Sequence, residues 1–111
     1  MPTPSFALEV LRDGANARIA PAGELDIATA PEFEQAIAEV TRAGTAELVL
    51  DLRALTFMDS TGLRMLVQTN AQATEHGFEL SIWRGSRQID KLFAVSGLED
   101  HLPLADAPAD A

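Results

Sequence analysis

A short run of acidic and hydroxyl residues, Asp59-Ser60-Thr61-Gly62, lies between an apolar stretch and a helical pattern. Such residues can cap a helix: Asp59 or Ser60 would accept hydrogen bonds from the first helical N–H groups, which contributes about 1 kcal/mol. They can also undergo chemistry, because an exposed Ser60 hydroxyl could accept a phosphoryl group, whose charge is favoured near a helix start. Both interpretations stay open on spacing alone, and Thr61 offers a second hydroxyl.

A second polar cluster, with Glu24 and Asp26, follows a predicted strand and precedes a predicted helix. It could be a turn with solvated carboxylates. Alternatively, both acids lie at the same end of the sheet as Ser60, because both segments connect a strand to a helix and such loops often bind ligands or partners. A metal site built from Glu24, Asp26 and Asp59 is conceivable, but solvated acids are favoured and we expect no metal.

Hydrophobic periodicity predicts the elements that position these residues. Strands are predicted near residues 6–10, 18–22, 48–52 and 78–82, with a last strand or helix near 102–104. Helices are predicted over 30–43, from about 60 to Gly77, and from Ser86 to Gly97, with residues 53–59 as a loop. The order β-β-α-β-α-β-α predicts an α/β fold with a mixed, largely parallel sheet of four to five strands packed against helices.

Several residues predict how these elements begin and end. Thr29 and Glu32 form a T-x-x-E capping box with Pro31 in the first helical turn, and Ser86 can cap the third helix. Pro21 cannot donate a backbone hydrogen bond, so the second strand should be an edge there, carry a bulge or end early. Left-handed glycines are expected to end the helices, at Gly44, Gly77 and Gly97.

Composition excludes several classes of function. The 111 residues include 8 basic and 17 acidic side chains, a net charge of −9 that disfavours nucleic-acid binding. The chain has no cysteine, which excludes disulfides and thiolate metal sites. The longest apolar run, Leu92 to Val95, is far shorter than the roughly 18 residues of a membrane span. We therefore expect one cytoplasmic domain over residues 1–104, with an acidic flexible tail over 105–111.

An enzymatic role is disfavoured because it would require a base placed beside Ser60. His76 and His101 are the only histidines, and no G-x-S-x-G pattern surrounds the serine. Neither nucleotide-binding glycine motif occurs, so no cofactor is expected.

Two further features have alternative interpretations. Trp83 is out of phase with the apolar residues of its strand, so it should point to the opposite sheet face, packed under a helix or exposed as a binding anchor. The basic group Arg84, Arg87 and Lys91 is either a solvated helix face or a second protein contact.

Four ordered motifs resemble those of STAS domains, and more narrowly those of bacterial anti-anti-sigma factors. The resemblance covers residues 5 to 104. The motifs are Gly23-Glu24-Leu25-Asp26, Leu50-Asp51-Leu52, Phe57-Met58-Asp59-Ser60-Thr61-Gly62-Leu63 and Leu92-Phe93-Ala94-Val95-Ser96-Gly97-Leu98.

The resemblance implies a partner-switching regulator of transcription. In that family the unmodified domain binds an anti-sigma factor that is also a serine kinase, which frees a sigma factor. The kinase phosphorylates the serine after the aspartate, here Ser60, and a serine phosphatase reverses the modification. The resemblance places the partner-binding residues at Glu24, Asp26, Asp59, Ser60, Thr61, Gly62, Leu63 and Arg64.

Two residues depart from the family pattern. Pro21 stands where an apolar strand residue is usual, and Arg64 stands where a small residue is frequent, which bears on the choice of partner. The alternative function is a constitutive STAS adaptor or scaffold subunit, in a signalling complex or beside a transporter, in which Ser60 is only a helix cap.

Overall fold

The computed structural model describes residues 6–111, which form six strands and three helices. The strands are β1 (Phe6–Asp13), β2 (Asn16–Leu25), β3 (Glu47–Asp51), β4 (Leu55–Met58), β5 (Glu79–Trp83) and β6 (Leu104–Ala105). The helices are α1 (Ala30–Arg42), α2 (Ser60–His76) and α3 (Arg87–Ser96). The predicted α/β class is confirmed.

The strands form one mixed sheet in the order β1-β2-β3-β5-β6, and β4 pairs with β2 outside this path. Only β1 and β2 are antiparallel; the other pairs are parallel. The same edge of β2 pairs first with β3, along residues 16–19, and then with β4, along residues 23–25. The sheet therefore forks, and β4 brings the start of α2 to the end of β2.

The prediction of a loop over residues 53–59 is wrong, because this segment contains β4. Leu55 and Met58 are buried while Thr56 and Phe57 between them are exposed. This spacing of three hides the alternation by which a strand is recognised. The strand forms because its backbone pairs with the end of β2, an interaction between distant parts of the chain.

Pro21 lies in the interior of β2 without interrupting it. The proline is buried and faces Leu8 of β1. It lies between Ile19, the last residue paired with β3, and Gly23, the first paired with β4, so its missing N–H falls at the fork. A register shift follows Gly23. The unmatched residue at this shift is Thr56 on β4, and β2 pairs with β1 in continuous register through Pro21, so the expected bulge at Pro21 is wrong, as is an early end at residue 22. The expectation of an edge is confirmed in that Pro21 pairs with neither β3 nor β4.

The predicted helix boundaries are largely confirmed. Pro31 lies in the first turn of α1, and the Ser86 hydroxyl accepts a hydrogen bond from the Ile89 N–H at 3.5 Å. Gly77 and Gly97 end α2 and α3 in the left-handed conformation, with φ of 78° and 77°. Glycine tolerates this conformation because it has no Cβ.

The hydrophobic core contains strand residues from the sheet and apolar residues from all three helices. Its fully buried members include Ile19, Leu50 and Ile82 on strands and Phe33, Leu66 and Phe93 on helices. The core holds α2 in place along most of its length, which restricts the freedom of its first turn.

Trp83 lies on the other face of the sheet, where strand side chains line an open cavity. The indole is half-buried, and the guanidinium carbons of Arg18 and Arg53 lie 5.1 and 5.2 Å from its ring centroid. Two cations therefore cover the ring. The expectation that a helix packs over Trp83 is wrong.

The predicted boundary after residue 104 falls inside β6. Ala105 pairs with Trp83, and its carbonyl accepts a hydrogen bond from the Arg84 N–H at 2.8 Å. The Arg84 side chain lies 3.7 Å from the Asp106 carboxylate. The sheet therefore continues one residue into the segment that was expected to be a tail.

Asp51, at the end of β3, is a buried carboxylate held by one arginine. Arg53 Nε and Nη2 each donate to a different Asp51 oxygen at 2.9 Å, and the Arg53 N–H donates to Oδ1 at 3.1 Å. Burial by itself would raise the pKa of Asp51. The hydrogen bonds and charge of Arg53, with the charge of Arg18, outweigh burial and leave the pKa below its ordinary value.

This pKa predicts how stability depends on pH. Because the folded state favours ionised Asp51, its contribution is complete above the unfolded pKa of about 3.9 and is lost as the pH falls through the lower folded value. We expect Asp51→Asn to reduce the free energy of unfolding by about 1 kcal/mol at pH 7, and by less at pH 3. Urea denaturation at both pH values measures this. Glu75→Gln, at an exposed position, is the control, and an Asp51→Asn deficit that is the same at both pH values would contradict the assignment.

Candidate functional site

The start of α2 is determined by Asp59, which joins β4 to the helix. Its backbone is extended, and its Oδ1 accepts a hydrogen bond from the Thr61 N–H at 2.9 Å. Its own N–H donates to the Leu25 carbonyl at 3.3 Å. Asp59 therefore caps α2 and ties the cap to the end of β2.

Ser60 is the first residue of α2 and is exposed. Asp59 provides the cap of the helix. The Ser60 hydroxyl makes no hydrogen bond to any residue between 6 and 111. The sequence left open whether Asp59 or Ser60 caps the helix, and Asp59 is confirmed as the cap. The alternative function assigned Ser60 the role of a helix cap only, and that role is wrong. The neighbouring Thr61 is half-buried.

Gly62 and Leu63 lie beneath the exposed serine and are buried. A Cβ on Gly62 would lie 2.4 Å from Met58 Cγ and 2.9 Å from Leu25 Cδ2. The first turn of α2 thus packs directly on the ends of β2 and β4, at a distance that only glycine permits. Because they are buried, Gly62 and Leu63 support the start of α2 from below and present little surface of their own.

The loop between β2 and α1 is closed by two polar side chains. Asp26 Oδ1 accepts from the N–H groups of Ala28 and Thr29, at 2.9 and 3.2 Å. Thr29 Oγ1 accepts from the Asp26 N–H at 2.9 Å and donates to the Glu24 carbonyl at 2.8 Å. The predicted capping box is therefore wrong, because the Thr29 hydroxyl turns back into the loop and makes no cap hydrogen bond to α1.

Register brings the two polar clusters to one edge of the sheet. Leu25 pairs with Met58, so the residues that follow them, Asp26 and Asp59, leave neighbouring strand ends. Glu24 is exposed and pairs with Phe57 one position earlier. The expectation that these acids lie at the same end of the sheet as Ser60 is confirmed. We call this surface the Ser60 patch: Glu24, Asp26, Asp59, Ser60, Thr61 and Arg64.

Two apolar residues beside the patch are exposed, although the sequence did not lead us to expect either of them on the surface. Ile27 is 80% exposed at the tip of the β2–α1 loop, and Phe57 is 38% exposed on β4. Ile27 precedes the periodic apolar residues of α1, and this position could have indicated that Ile27 does not belong to the core. Phe57 carried no such signal because β4 was not predicted.

The histidines lie away from Ser60. His76 is at the opposite end of α2, and the His101 carbonyl accepts a hydrogen bond from Asn70, ten residues and about 15 Å along α2. Across residues 6–111, no group of three or more His, Asp or Glu side chains is arranged to hold a metal ion. Over the same residues, every helix is too short or too polar to span a bilayer.

The close packing at Gly62 predicts an unusual effect of alanine. Alanine in a helix interior is normally favoured over glycine by about 0.5–1 kcal/mol, but we expect Gly62→Ala to destabilise the protein by about 1–3 kcal/mol through overpacking. Chemical denaturation measures this. Ala71→Gly, at an exposed position of the same helix, calibrates helix propensity. Met58→Ala should relieve part of the clash, so the double variant with Gly62→Ala should lose less unfolding free energy than the sum of the two single losses. Losses that add fully would contradict the contact.

The assignment of the cap predicts different costs for two neighbouring residues. We expect Asp59→Ala to lower the free energy of unfolding by about 1 kcal/mol, because the Thr61 N–H loses its acceptor. Ser60→Ala should change it by less than about 0.5 kcal/mol. Thermal and urea denaturation of both variants measure these differences. Equal losses would mean that Ser60 shares the capping role.

Comparisons with known proteins agree with this arrangement. A family model described as "Mlab, STAS domain" matches residues 8–105. The anti-sigma-B factor antagonist of Staphylococcus aureus (strain NCTC 8325 / PS 47) is 37% identical over 78 residues, which are 70% of this chain and 72% of that protein.

Solved structures give the same result. An anti-sigma factor antagonist from Mycobacterium paratuberculosis has a TM-score of 0.83 at 27% identity, covering 96% of this chain and 89% of that one. The Bacillus cell fate determinant SpoIIAA in its phosphorylated form shares the fold, with a TM-score of 0.71 at 22% identity, covering 95% and 93%. The resemblance seen in the motifs is confirmed: the chain belongs to the STAS domain family of anti-sigma factor antagonists.

Proposed function

We propose that this chain is an anti-sigma factor antagonist switched by phosphorylation of Ser60. The unmodified form binds an anti-sigma factor that is also a serine kinase, and so frees a sigma factor. Phosphorylation releases the complex, and a serine phosphatase restores the binding form. The observation that carries the proposal is the Ser60 hydroxyl, which is exposed and free of the capping role.

The names of the related proteins support the antagonist role. The Staphylococcus aureus relative is an anti-sigma-B factor antagonist. It shares 37% identity over 70% of this chain and 72% of its own length, so the similarity includes the sequence as well as the fold. The SpoIIAA structure contains a phosphorylated protein of this fold. Together they support the proposed interaction with an anti-sigma factor and the proposed phosphorylated form of this chain.

The chemistry requires a partner enzyme. Ser60 Oγ would attack the γ-phosphorus of ATP, forming the Oγ–P bond as the bond to the β,γ-bridging oxygen breaks and ADP leaves. The hydroxyl proton needs a base, and neither histidine of this chain lies at the Ser60 end of α2. In a protein kinase that base is an aspartate of the kinase itself, and we propose the same here, so this chain acts as the substrate. In the reverse step, a phosphatase directs water to the phosphorus, which regenerates the hydroxyl and releases inorganic phosphate.

The fold can carry the phosphate without a large rearrangement. Ser60 is at the first position of α2, where a negative group is favoured by the helix dipole and by unpaired N–H groups. Its side chain projects from the surface and is not part of the core. Phosphorylation would therefore change the surface and leave the packing intact.

Charge explains how this surface change would release a partner. Glu24, Asp26 and Asp59 already make the patch acidic, and a phosphoryl group adds a charge of about −2. Burying that dianion against a partner requires its desolvation beside like charges. A loss of a few kcal/mol would lower affinity by about a hundredfold, since each 1.4 kcal/mol corresponds to tenfold.

The test is to incubate the protein with its anti-sigma kinase and ATP, and to locate the modification by mass spectrometry. We expect one phosphate, on Ser60. Ser60→Ala should still bind the kinase and stay unmodified, whereas Thr61→Ala should be modified as efficiently as the wild type. Ser60→Asp should weaken binding partly, because one carboxylate carries less charge than phosphate.

Affinities for the kinase complete this test. We expect the Ser60-phosphorylated protein to bind about a hundredfold more weakly than the unmodified protein. Equal affinities would remove the switch. A protein that binds the kinase but is never phosphorylated would instead be a constitutive adaptor.

A further inference from the structure

Arg64 follows Ser60 by four residues in α2, and both side chains are exposed. Residues at this spacing lie one above the other on one side of a helix, with Cβ atoms about 5–6 Å apart. Arg64 can therefore reach a group attached to the Ser60 hydroxyl without any change in the backbone. The helix start is held by the Asp59 cap and by Gly62 beneath it, so this spacing is well defined.

The Arg64 guanidinium is available in the unmodified protein. The ion pairs found within residues 6–111 are Arg53 with Asp51 and Arg84 with Asp106, neither of which involves Arg64. No side-chain hydrogen bond from Arg64 is formed within the same residues, in contrast to Arg42, whose Nε donates to the Ala38 carbonyl at 3.2 Å.

Three segments around the start of α2 carry acidic residues that could pair with Arg64. Asp59 precedes the helix, and Glu24 and Asp26 lie at the end of β2. From α1, which packs against α2, Glu34 lines a groove with Met65 and Gln68. None of these carboxylates is within 4 Å of the guanidinium, so no acid in the described chain already holds it.

We infer that Arg64 binds the phosphoryl group of phosphorylated Ser60 in an ion pair between successive turns of α2. The inference rests on the proposed function for the existence of the phosphorylated form. A guanidinium presents several N–H donors to phosphate oxygens, and these charge-assisted hydrogen bonds are stronger than neutral ones.

The ion pair gives Arg64 a role in the switch. In the unmodified protein, its cation belongs to the surface that a partner would meet. In the phosphorylated protein, the same cation turns to the phosphate and is withdrawn from that surface. The patch thus loses a free positive charge at the moment when it gains a dianion, and Arg64 is a positioning residue for the phosphate.

The test places phosphoserine at position 60 by site-directed incorporation and follows its ³¹P resonance as a function of pH. A nearby cation favours the dianion, so Arg64 should lower the second pKa of the phosphate, which is about 6 when unpaired. We expect that pKa to be lower by roughly 0.3 in the wild type than in Arg64→Ala and Arg64→Gln. Arg64→Lys should retain most of the effect.

Two controls distinguish an effect of the Arg64–phosphate ion pair on the pKa from an effect of the protein's net charge. Arg42→Ala removes the same charge from an exposed helical arginine in the last turn of α1, away from Ser60, and should leave the pKa unchanged. At 1 M salt, the difference between wild type and Arg64→Ala should shrink, because surface charges are screened.

Equal phosphate pKa values in the wild type and both neutral Arg64 variants would overturn the inference, as would an equal shift in Arg42→Ala. Because phosphoserine is installed directly, the result does not depend on any kinase. Failure of a kinase to modify Ser60 would remove the proposed function, whereas failure of the pKa difference would remove only the role of Arg64.

Discussion

The contact between the first turn of α2 and the ends of β2 and β4 is the constraint on which the rest of the Ser60 patch depends. Gly62 leaves no room for a Cβ between the helix and the side chains of Met58 and Leu25. The Asp59 N–H reaches the Leu25 carbonyl across the same junction. Close packing of this kind resists small displacements, so the position of Ser60 follows from buried contacts beneath it.

Two neighbouring polar residues at this junction have different roles. Asp59 satisfies the N–H group of Thr61 at the start of α2, which leaves the hydroxyl of Ser60 without a structural task. On the adjacent loop, Asp26 and Thr29 bond to each other's backbone and to their neighbours. The loop is therefore closed by hydrogen bonds and the surface is acidic, while the exposed Ser60 hydroxyl makes no hydrogen bond within residues 6–111. If the patch binds a partner as proposed, a loop already held by hydrogen bonds would lose little conformational entropy on binding.

The agreement between sequence and structure is best where a local interaction decides the outcome. Pro31 in the first turn of α1, Ser86 as a cap, and Gly77 and Gly97 as helix ends each act through the backbone of a few adjacent residues. Thr29 shows the limit of such local rules. Its spacing to an acidic residue fits a capping box, but the loop offered its hydroxyl other hydrogen-bond partners.

The sequence by itself determined the α/β class, the helix ends, and the identity of Ser60 as a hydroxyl at a helix start, because these depend on periodicity and on residues close in the chain. Only the tertiary structure decided that β4 is a strand, that Asp59 and not Ser60 caps α2, and that Gly62 is buried. Each of these depends on pairing or packing with the end of β2, more than thirty residues earlier in the chain. Such contacts leave no periodic pattern in the local sequence.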